Sequence, residues 1–430
     1  MQEKRILVIS RSAWNDNNNT GNTLSSFFNS FPRNNIANIY CREELPNNKI
    51  CDSYLQISER RILQRFWGKH VEVSKEMNGV KVFGESKDDF KLIENENRTY
   101  RFFKRHRFII FLWLRELIWS TNLWKNKQLH QFIDDFKPDI IYSAMHDSIY
   151  MYNILLYVQK ITQKPIVTFH GDDHLVNKGS LFKPFAAINR FLVKRKVIRS
   201  LKYSKLNFVI TEEQKQLYEQ ITDKKFIVLK KTKYFKELVQ KDKHDICALR
   251  FVFTGNIIYG RLKTLINIGR IIDKYNNDFG CNHILNIYTY NQLDKKEKEI
   301  INKVQSIQFR EPVPSDEILN VLRQNDILLH VEATNKSERM ISRLSFSTKI
   351  IDYLEAGRAI VAVGWKESAS LNYFSKNSIG FCFENENELY NFLEGITEDE
   401  LLSISLKSYF FGKENHSRNN DFINLLNSIK

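Results

Sequence analysis

The sequence has no apolar run long enough to cross a membrane. In its most apolar stretch, residues 108–119, only seven uncharged residues stand together before Arg115, whereas a spanning helix needs about 20. Near the start of the chain, Lys4 and Arg5 lead into a short apolar run that Ser10 stops. This pattern does not resemble a secretion signal. We therefore expect a cytoplasmic protein.

Cysteine is scarce, and its spacing fits neither a metal site nor a disulfide framework. The five cysteines are far apart in the sequence: Cys41, Cys51, Cys247, Cys281 and Cys382. None of them forms a paired metal-ligand motif. We expect free thiols in a reducing cytoplasm and no bound metal or cofactor.

The stretch from residue 101 to residue 127 leaves two interpretations open. Basic and tryptophan residues flank the apolar run: Arg101, Lys104, Arg105, Arg107, Trp119, Trp124, Lys125 and Lys127. A basic amphipathic helix that carries tryptophan can lie on an anionic membrane surface. It can equally be a core helix with a basic outer face.

The balance of charge is strongly basic, with a net charge of +15 over 430 residues. Such a surface attracts nucleic acid, acidic lipid headgroups or phosphorylated substrates. Only the net charge favours a nucleic-acid-binding module. The aromatic and basic residues are not interleaved on a recognisable binding fold. We expect no nucleic acid partner. The length predicts two domains.

Short apolar strands alternate with helical stretches in both halves, which predicts an α/β fold with parallel sheets. The predicted strands are residues 6–9, 138–142, 165–169, 206–210, 250–255, 284–288, 327–331 and 359–363. Residues 60–105 are harder to interpret and are typical of a charged insertion. The lysine-rich stretch near residue 240 predicts a linker. The predicted units are a domain over 1–235, a linker over 236–248, a domain over 249–410, and a C-terminal helix over 411–430 that packs back on the first domain.

The most informative motif runs from Ser342 to Gly364 as a polar loop, a short helix, a glycine stop and a buried strand. Ser347 is a good candidate for the N-cap, and Gly357 suits the left-handed residue after the last turn. A helix start beside Arg343 and Lys349 can bind an anion. Asp352 would lie ~7 Å further along the helix, near a ribose hydroxyl. The motif predicts a pocket for a nucleotide diphosphate, although an ordinary capped helix also fits.

The chain resembles the donor half of GT-B glycosyltransferases. The resemblance is carried by Gly255, by the step at residues 308–313 and by the loop and helix that end at Gly357. The retaining family 4 type of bacterial polysaccharide and lipopolysaccharide assembly is the most similar. The resemblance implies two Rossmann-like domains that face a central cleft, with the donor held by the second domain. It covers most of the chain and is strongest from Phe251 to Gly380. No single motif is decisive, but their order and spacing are.

The resemblance implies a set of donor-binding residues. It places Arg261 and Lys263 on the diphosphate, the turn Gly255-Asn256 close to the donor, and Val313 near the base. Arg261 and Lys263 could also be two solvated charges at a helix start. The full set is Gly255, Asn256, Arg261, Lys263, Val313, Arg343, Ser345, Phe346, Ser347, Thr348, Lys349 and Asp352.

The sequence departs from the family at one hallmark. The family carries two glutamates on this loop and helix, but the corresponding positions here hold Leu344 and Asp352. Contact between an acid at the first position and the donor sugar is therefore in doubt. Glu332, Glu338 or the groups of Ser345 to Thr348 are the alternatives.

In the first half, the resemblance implies a catalytic histidine or acid at a strand end, where His170 and Asp172 stand. A metal site at Asp172, Asp173 and His174, or a purely structural loop, are the other interpretations. The candidate acceptor-binding residues are Trp14, Gly21, Asn22, Thr23 and His146. An asparagine-rich loop with a helix cap explains the Gly21 region equally well.

These patterns together predict a retaining, metal-independent glycosyltransferase that uses a UDP- or GDP-linked sugar. The expected acceptor is a saccharide, most simply one linked to lipid at the inner face of the membrane, where a basic surface would make peripheral contact with anionic lipid. A sugar-nucleotide epimerase of GT-B-like fold is the alternative. It would use the same donor half together with several acid and base groups.

Overall fold

The computed structural model describes residues 4–16, 18–78, 109–176, 184–241, 243–314, 316–333, 338–340 and 343–429. By its internal contacts the chain divides into two units. The first unit comprises Met1–Leu229 together with Asn419–Lys430, and the second comprises Lys230–Arg418. Each is an α/β unit with its own sheet, as predicted.

The first unit is built on an eight-stranded sheet in the order β4-β3-β2-β1-β5-β6-β7-β8. All pairs are parallel except β3 and β4, which are antiparallel. Its strands are β1 (Ile6–Ser10), β2 (Ile36–Tyr40), β3 (Ser53–Ile57), β4 (Ser74–Asn78), β5 (Ile140–Ala144), β6 (Ile166–His170), β7 (Ser204–Val209) and β8 (Ile227–Val228). Its helices up to residue 229 are α1 (Asn19–Phe28), α2 (Glu59–Phe66), α3 (Ile109–Ser120), α4 (Lys127–Phe136), α5 (Ile149–Thr162), α6 (Pro184–Leu201) and α7 (Glu212–Ile221).

The second unit is built on a six-stranded parallel sheet in the order β11-β10-β9-β12-β13-β14. Its strands are β9 (Arg250–Thr254), β10 (Ile284–Tyr288), β11 (Ile307–Arg310), β12 (Ile327–Val331), β13 (Ala359–Val363) and β14 (Phe381–Phe383). Its helices are α8 (Arg261–Phe279), α9 (Lys295–Ile301), α10 (Ile318–Arg323), α11 (Lys349–Ala356), α12 (Ala369–Asn377), α13 (Glu388–Gly395) and α14 (Glu398–His416). A last helix, α15 (Asp421–Asn427), belongs to the first unit.

The central strands of both sheets are apolar on both faces, because helices cover each face. Every residue of β1, β12 and β13 is buried. In each sheet the first strand of the unit lies inside the sheet, and the strand order reverses beside it. That is the doubly wound arrangement, in which the carboxyl ends of the strands form a natural site for ligands.

The boundary between the units differs from the predicted one. Residues 236–248, expected to form a linker, pack within the second unit. Lys241 forms an ion pair with the buried Asp326, and His244 Nδ1 lies 2.7 Å from the same carboxylate. Lys241 of this lysine-rich stretch thus pairs with an acid that is distant in sequence, which a local pattern does not reveal.

The C-terminal segment splits between the units. Helix α14 packs against α11 and β13 in the second unit, whereas residues 419–430 belong to the first. Phe422 of α15 packs against the rings of Phe27, Phe28, Tyr142 and Phe208. The first unit thus completes its core with residues from the far end of the chain.

Helix α3 has features of both interpretations of its sequence. Trp119 and the following Trp124 are buried, and Trp119 stacks on Tyr150 at 4.3 Å between ring centroids. Leu114 and Leu117 are instead 53% and 65% exposed. Arg101, Lys104, Arg105, Arg107 and most of the expected charged insertion lie outside the described residues. No helix in the part of the chain that the structure describes is long and apolar enough to span a membrane.

Candidate functional site

The carboxyl edge of the second sheet collects most of the predicted donor-binding residues. Gly255 follows β9, Glu332 follows β12, and the starts of α8 and α11 bring Arg261 and Lys349 to the same edge. The carboxyl ends of parallel strands share one edge, so residues far apart in sequence meet there.

Lys349 lies directly against the turn after β9. Its Nζ donates a hydrogen bond of 2.9 Å to the carbonyl oxygen of Thr254. At Gly255 the backbone has φ of +146°, and a Cβ placed there would lie 2.2 Å from Lys349 Nζ. The backbone conformation therefore favours glycine at this turn, and a side chain there would also displace the lysine ammonium.

The side chain of Lys349 is half-buried, so its ammonium group has lost part of its contact with water. Burial lowers the pKa of Lys349 to about 8, and the positive charge of Arg261 acts in the same direction, while Asp352 opposes both. A partly desolvated cation that donates to a neutral carbonyl oxygen gains from an anionic ligand, because the ligand compensates for the lost solvation. A contact between Lys349 and a phosphate stays a prediction.

Arg261 is already paired with an acid. Its Nη2 lies 2.7 Å from Glu332 Oε2, and its Nε donates to the carbonyl oxygen of Val331 at 3.0 Å. Glu332 is buried, and its other carboxylate oxygen lies 3.4 Å from His330 Nε2. Burial raises the pKa of Glu332, but His330 and Arg261 outweigh that effect and lower it overall. The positive charge at this edge is therefore smaller than two independent cations would supply.

Asp352 also has a partner that the sequence did not suggest. Lys233 Nζ lies 2.7 Å from Asp352 Oδ1 and 2.5 Å from Glu355 Oε2, and the side chain of Glu355 is fully buried. Burial tends to lower the pKa of Lys233, but Asp352 and Glu355 raise it overall. Asp352 remains 24% exposed. A contact between Asp352 and a ribose stays a prediction, and it would have to coexist with this ion pair.

Tyr353 fixes the relation between α11 and the sheet. Its buried hydroxyl donates to the carbonyl oxygen of Leu329 at 3.0 Å and lies 3.3 Å from the backbone nitrogen of Thr254. The side chain thus ties α11 to β9 and β12, the strands on either side of the candidate site. Sequence reasoning missed Tyr353, His330 and Lys233, because nothing local marks them.

The loop before α11 is partly buried. Phe346 is 6% exposed and meets the ring of Tyr373 edge-on at 5.0 Å. Lys230 Nζ lies 3.9 Å from the centroid of that tyrosine and 5.2 Å from that of Phe346. The side chain of Phe346 therefore has a packing role, and only its backbone and its neighbours remain for a ligand.

The prediction that Ser347 caps α11 is wrong. The helix begins at Lys349, and Thr348 is the N-cap residue, with helical backbone angles and no side-chain capping bond. Ser347 contributes its carbonyl oxygen, which accepts a hydrogen bond from the nitrogen of Ile350 at 3.1 Å. The prediction for Gly357 is confirmed, since this residue ends the helix with φ of +62°.

The other donor-side candidates lie around this core. Leu344 is buried, so the position of the family's first glutamate holds a packed apolar side chain. Arg343 lies 4.0 Å from Glu367, and its guanidinium lies 5.8 Å from the centroid of Trp365. The remaining candidates are half-buried or exposed: Asn256 and Lys263 near the start of α8, Val313 after β11, and Ser345 before α11. No contact of theirs tests the predicted roles.

In the first unit, His170 is fully buried at the end of β6. Its ring meets Tyr218 and Phe226 edge-on at 5.2 and 5.8 Å, and neither ring nitrogen has a hydrogen-bond partner. Burial holds the pKa of His170 well below its usual range, with a smaller contribution from His174. Contact between His170 and a substrate stays a prediction, and it requires this packing to open.

The residues after His170 form an ordered turn. Asp173 Oδ1 accepts hydrogen bonds from the nitrogens of Leu175 and Val176, at 3.0 and 2.9 Å. The backbone carbonyl oxygen of Asp172 lies 3.0 Å from His174 Nδ1, and Asp172 is exposed. Within the described ranges, no group of three or more histidine, cysteine, aspartate or glutamate residues is placed to hold a metal ion.

The loop after β1 is shaped by close backbone packing. Trp14 is fully buried, and its Nε1 donates to Ser25 Oγ at 2.8 Å. A Cβ on Gly21 would lie 2.1 Å from the carbonyl oxygen of Asn15, so only glycine fits. Asn18 caps α1 by accepting from the nitrogen of Gly21. This agrees with the second interpretation of the loop, an asparagine cap.

The contacts of the candidate acceptor-binding residues do not test whether they bind an acceptor. Asn22 Nδ2 donates to the carbonyl oxygen of Asp16 at 3.4 Å, and Thr23 is half-buried in α1. His146 follows β5, where burial and then the charges of Arg11 and His174 lower its pKa to about 3. All of these residues lie at or near the carboxyl edge of the first sheet.

Comparisons with known proteins place the fold. No family model matches the chain, and no curated protein matches its sequence. Solved structures do match over nearly the whole length. HepE from Anabaena, solved in complex with UDP-glucose, is 11% identical with a TM-score of 0.60, covering 99% of this chain and 100% of its own. WaaG, a glycosyltransferase involved in lipopolysaccharide biosynthesis, is 9% identical with a TM-score of 0.58, covering 99% and 100%.

A third match shows how far the fold alone can be interpreted. A putative UDP-N-acetylglucosamine 2-epimerase from Listeria monocytogenes is 11% identical, with a TM-score of 0.50, covering 98% of this chain and 94% of its own. Together with the two α/β units and their parallel sheets, these matches show that the chain has the GT-B fold. Identities this low show the fold and leave the activity to the site itself.

Proposed function

We propose that this chain is a glycosyltransferase that takes a sugar from a nucleotide diphosphate sugar, linked to UDP or GDP, and transfers it to a saccharide acceptor. The observation that carries the proposal is the half-buried Lys349 at the start of α11, against the Gly255 turn. Since a GT-B glycosyltransferase needs a cationic site for its leaving diphosphate, this lysine supplies the main charge. The solved relative HepE binds UDP-glucose, which supports the choice of donor class.

In the proposed reaction, an acceptor hydroxyl oxygen forms a bond to the anomeric carbon while the bond from that carbon to the diphosphate oxygen breaks. The hydroxyl proton passes to an oxygen of the departing diphosphate. We propose that the acceptor attacks from the face that the diphosphate leaves, so that the configuration is retained. Lys349, assisted by Arg261 and the start of α11, stabilises the departing negative charge without a divalent metal.

A panel of nucleoside diphosphates tests the proposal directly. Thermal shift and calorimetry with UDP, GDP and ADP, each with magnesium and with a chelator, should show binding of one base that the chelator does not change. Lys349→Met should weaken that binding roughly 10- to 150-fold. Lys366→Met is the matched control, since Lys366 is a lysine of the same unit with a 73% exposed side chain. Absence of binding by every nucleotide would count decisively against the donor site.

Two further assays separate the alternatives. Incubation with a nucleotide sugar alone, followed by analysis of the sugar, should leave it unchanged. An epimerised product would establish the epimerase instead. With an acceptor present, NMR of the anomeric proton in the product should show the configuration of the donor, and an inverted product would refute the retaining mechanism.

We also propose that the protein is cytoplasmic and makes peripheral contact with an anionic membrane through α6, which would bring it to a lipid-linked acceptor. Phe185, Ile188 and Phe191 recur at helical spacing and are 60%, 48% and 57% exposed. Further along the same exposed face stand Arg195 and Arg199. Apolar side chains beside basic ones match the chemistry of an acidic bilayer surface.

Vesicle co-sedimentation tests this contact. Binding to vesicles that contain phosphatidylglycerol should exceed binding to pure phosphatidylcholine, and Phe191→Ser should reduce it several-fold. Phe410→Ser is the control, because Phe410 is a 58% exposed phenylalanine on α14 of the other unit. Equal binding to both lipids, or equal loss in both variants, would exclude α6 as a membrane contact.

A further inference from the structure

Two cysteines far apart in sequence meet in the second unit. Cys247 precedes β9, and Cys281 follows α8. Their Sγ atoms lie 2.8 Å apart. They stand at the amino end of β9, whereas the candidate phosphate site follows its carboxyl end. The pair is therefore separate from that site, and the proposed function makes no use of it.

The backbone holds the two cysteines together. The nitrogen of Asn282 donates to the carbonyl oxygen of Cys247 at 2.7 Å, and the nitrogen of Cys281 donates to that of Asn276 at 3.1 Å. Cys247 is further fixed by a bond from its nitrogen to Asp245 Oδ1 at 3.0 Å. With both main chains fixed, their sulfurs can join without a large movement of either segment.

The two thiols are also accessible, and they differ from one another. Cys247 is exposed and Cys281 is half-buried, whereas Cys41 and Cys51 are buried. Burial, followed by the hydrogen bond and the charge of Cys247, raises the pKa of Cys281 to about 11. A dissolved oxidant therefore meets Cys247 first, and Cys281 stands ready as the resolving partner.

We propose that Cys247 and Cys281 form a reversible disulfide by exchange with a small-molecule disulfide such as oxidised glutathione. The Cys247 thiolate attacks one sulfur of the oxidant, which forms a mixed disulfide and releases one glutathione thiolate. The Cys281 thiol then gives its proton to solvent, and its sulfur attacks Cys247 Sγ and releases the second glutathione. The two protein thiols are oxidised, and one glutathione disulfide is reduced to two thiols.

The bond would close a loop that contains β9, the Gly255 turn and α8. Since a cross-link restricts the unfolded chain while leaving the folded one in place, oxidation should raise the melting temperature of the second unit. A loop of this length predicts a shift of several degrees. The reaction depends only on the two thiols and their surroundings, so it can succeed or fail independently of any nucleotide binding.

Peptide mapping of the full chain tests the proposal. Reduced protein is treated with oxidised glutathione, its free thiols are blocked, and it is digested without reductant. The expected product is one cross-linked peptide pair containing Cys247 and Cys281, lighter by two hydrogen atoms than the sum of its parts, which dithiothreitol separates. Recovery of both cysteines as blocked free thiols, or of Cys247 as a stable glutathione adduct, would overturn the proposal.

Two variants test whether the cross-link depends on Cys281. Cys281→Ser should accumulate the mixed disulfide at Cys247 and lose the oxidation-dependent rise in melting temperature. Cys382→Ser, a change at a half-buried cysteine in another part of the unit, should leave both the cross-link and the shift intact. A cross-link between two separate chains, seen as a dimer on a non-reducing gel in place of the internal bond, would also refute it. If Cys281→Ser does not fold, the mapping of the unaltered protein decides.

Discussion

Replacement of Lys349 by methionine separates a binding role from a structural one. If Lys349 serves only to tie α11 to Thr254, its loss should weaken the fold. If Lys349 instead binds an anionic ligand, its partly desolvated charge destabilises the free protein. Removal of that charge should then stabilise the fold and weaken ligand binding. The two roles therefore predict changes of opposite sign in the same variant.

The size of the effect follows from the geometry. The pKa of Lys349 falls from 10.5 to about 8, and each unit is worth ~1.4 kcal/mol, so the partly desolvated charge costs roughly 3 kcal/mol at neutral pH. Loss of the hydrogen bond to Thr254 offsets about 1 kcal/mol of the gain. The expected net change is a stabilisation of about 2 kcal/mol. UDP binding should weaken roughly 10- to 150-fold, as for a charged hydrogen bond worth ~1.5–3 kcal/mol.

The pH dependence provides an independent check. The pKa of Lys349 is lower in the folded than in the unfolded chain, so between about pH 8 and pH 10.5 the unfolded chain binds more protons. The contribution of this residue to stability thus improves as the pH rises through that window. The advantage of Lys349→Met over the unaltered protein should shrink accordingly and vanish near the upper end.

Urea denaturation at pH 7 and pH 10, combined with calorimetry against UDP, measures both quantities. Lys366→Met again serves as control and should change neither. A Lys349→Met protein that is less stable at pH 7 and binds UDP normally would refute the assignment, because that combination describes a structural tie.

Three other predictions follow from contacts in the same units. Gly255→Ala should displace the Lys349 ammonium and strain the turn, with a loss of about 1–2 kcal/mol in stability and weaker UDP binding by calorimetry; unchanged binding would contradict it. Lys233→Met should leave the buried Glu355 carboxylate without its cation and cost up to ~3 kcal/mol in urea titrations, and Glu355→Gln added to it should recover part of that loss; additive losses would disprove the coupling. Gly21→Ala should lower the melting temperature by several degrees, since its Cβ would overlap a backbone carbonyl oxygen, and a neutral effect would show that the loop after β1 yields easily.

The sequence predicted the central strands of both sheets well, because their apolar runs are continuous. Strands β9, β12 and β13 lie within a residue of the predicted bounds. Strands β2, β3 and β4 were missed, since each carries polar residues such as Asn38 and Gln56 that are buried through long-range packing. The edge strand β4 has almost no apolar content, and only its pairing with β3 identifies it.

The candidate site was predicted as a set of positions, but its pairings were not. Lys349 and Gly255 belong to recognisable motifs, so a resemblance is enough to find them. Lys233 stands 119 residues before Asp352, and its ion pair exists only because the chain folds back along α11. The same reason explains why a lysine-rich segment that forms tertiary ion pairs was interpreted as a linker.

The place of α15 has a consequence for how the protein is made. The aromatic cluster around Phe422 joins residues near the beginning of the chain to residues beyond 418. During synthesis the first unit therefore cannot complete its apolar core until the second unit and α15 have been translated. A fragment that stops at residue 229 would keep that gap permanently and should be prone to aggregate, whereas residues 230–418 are contiguous and are the better choice for expression alone.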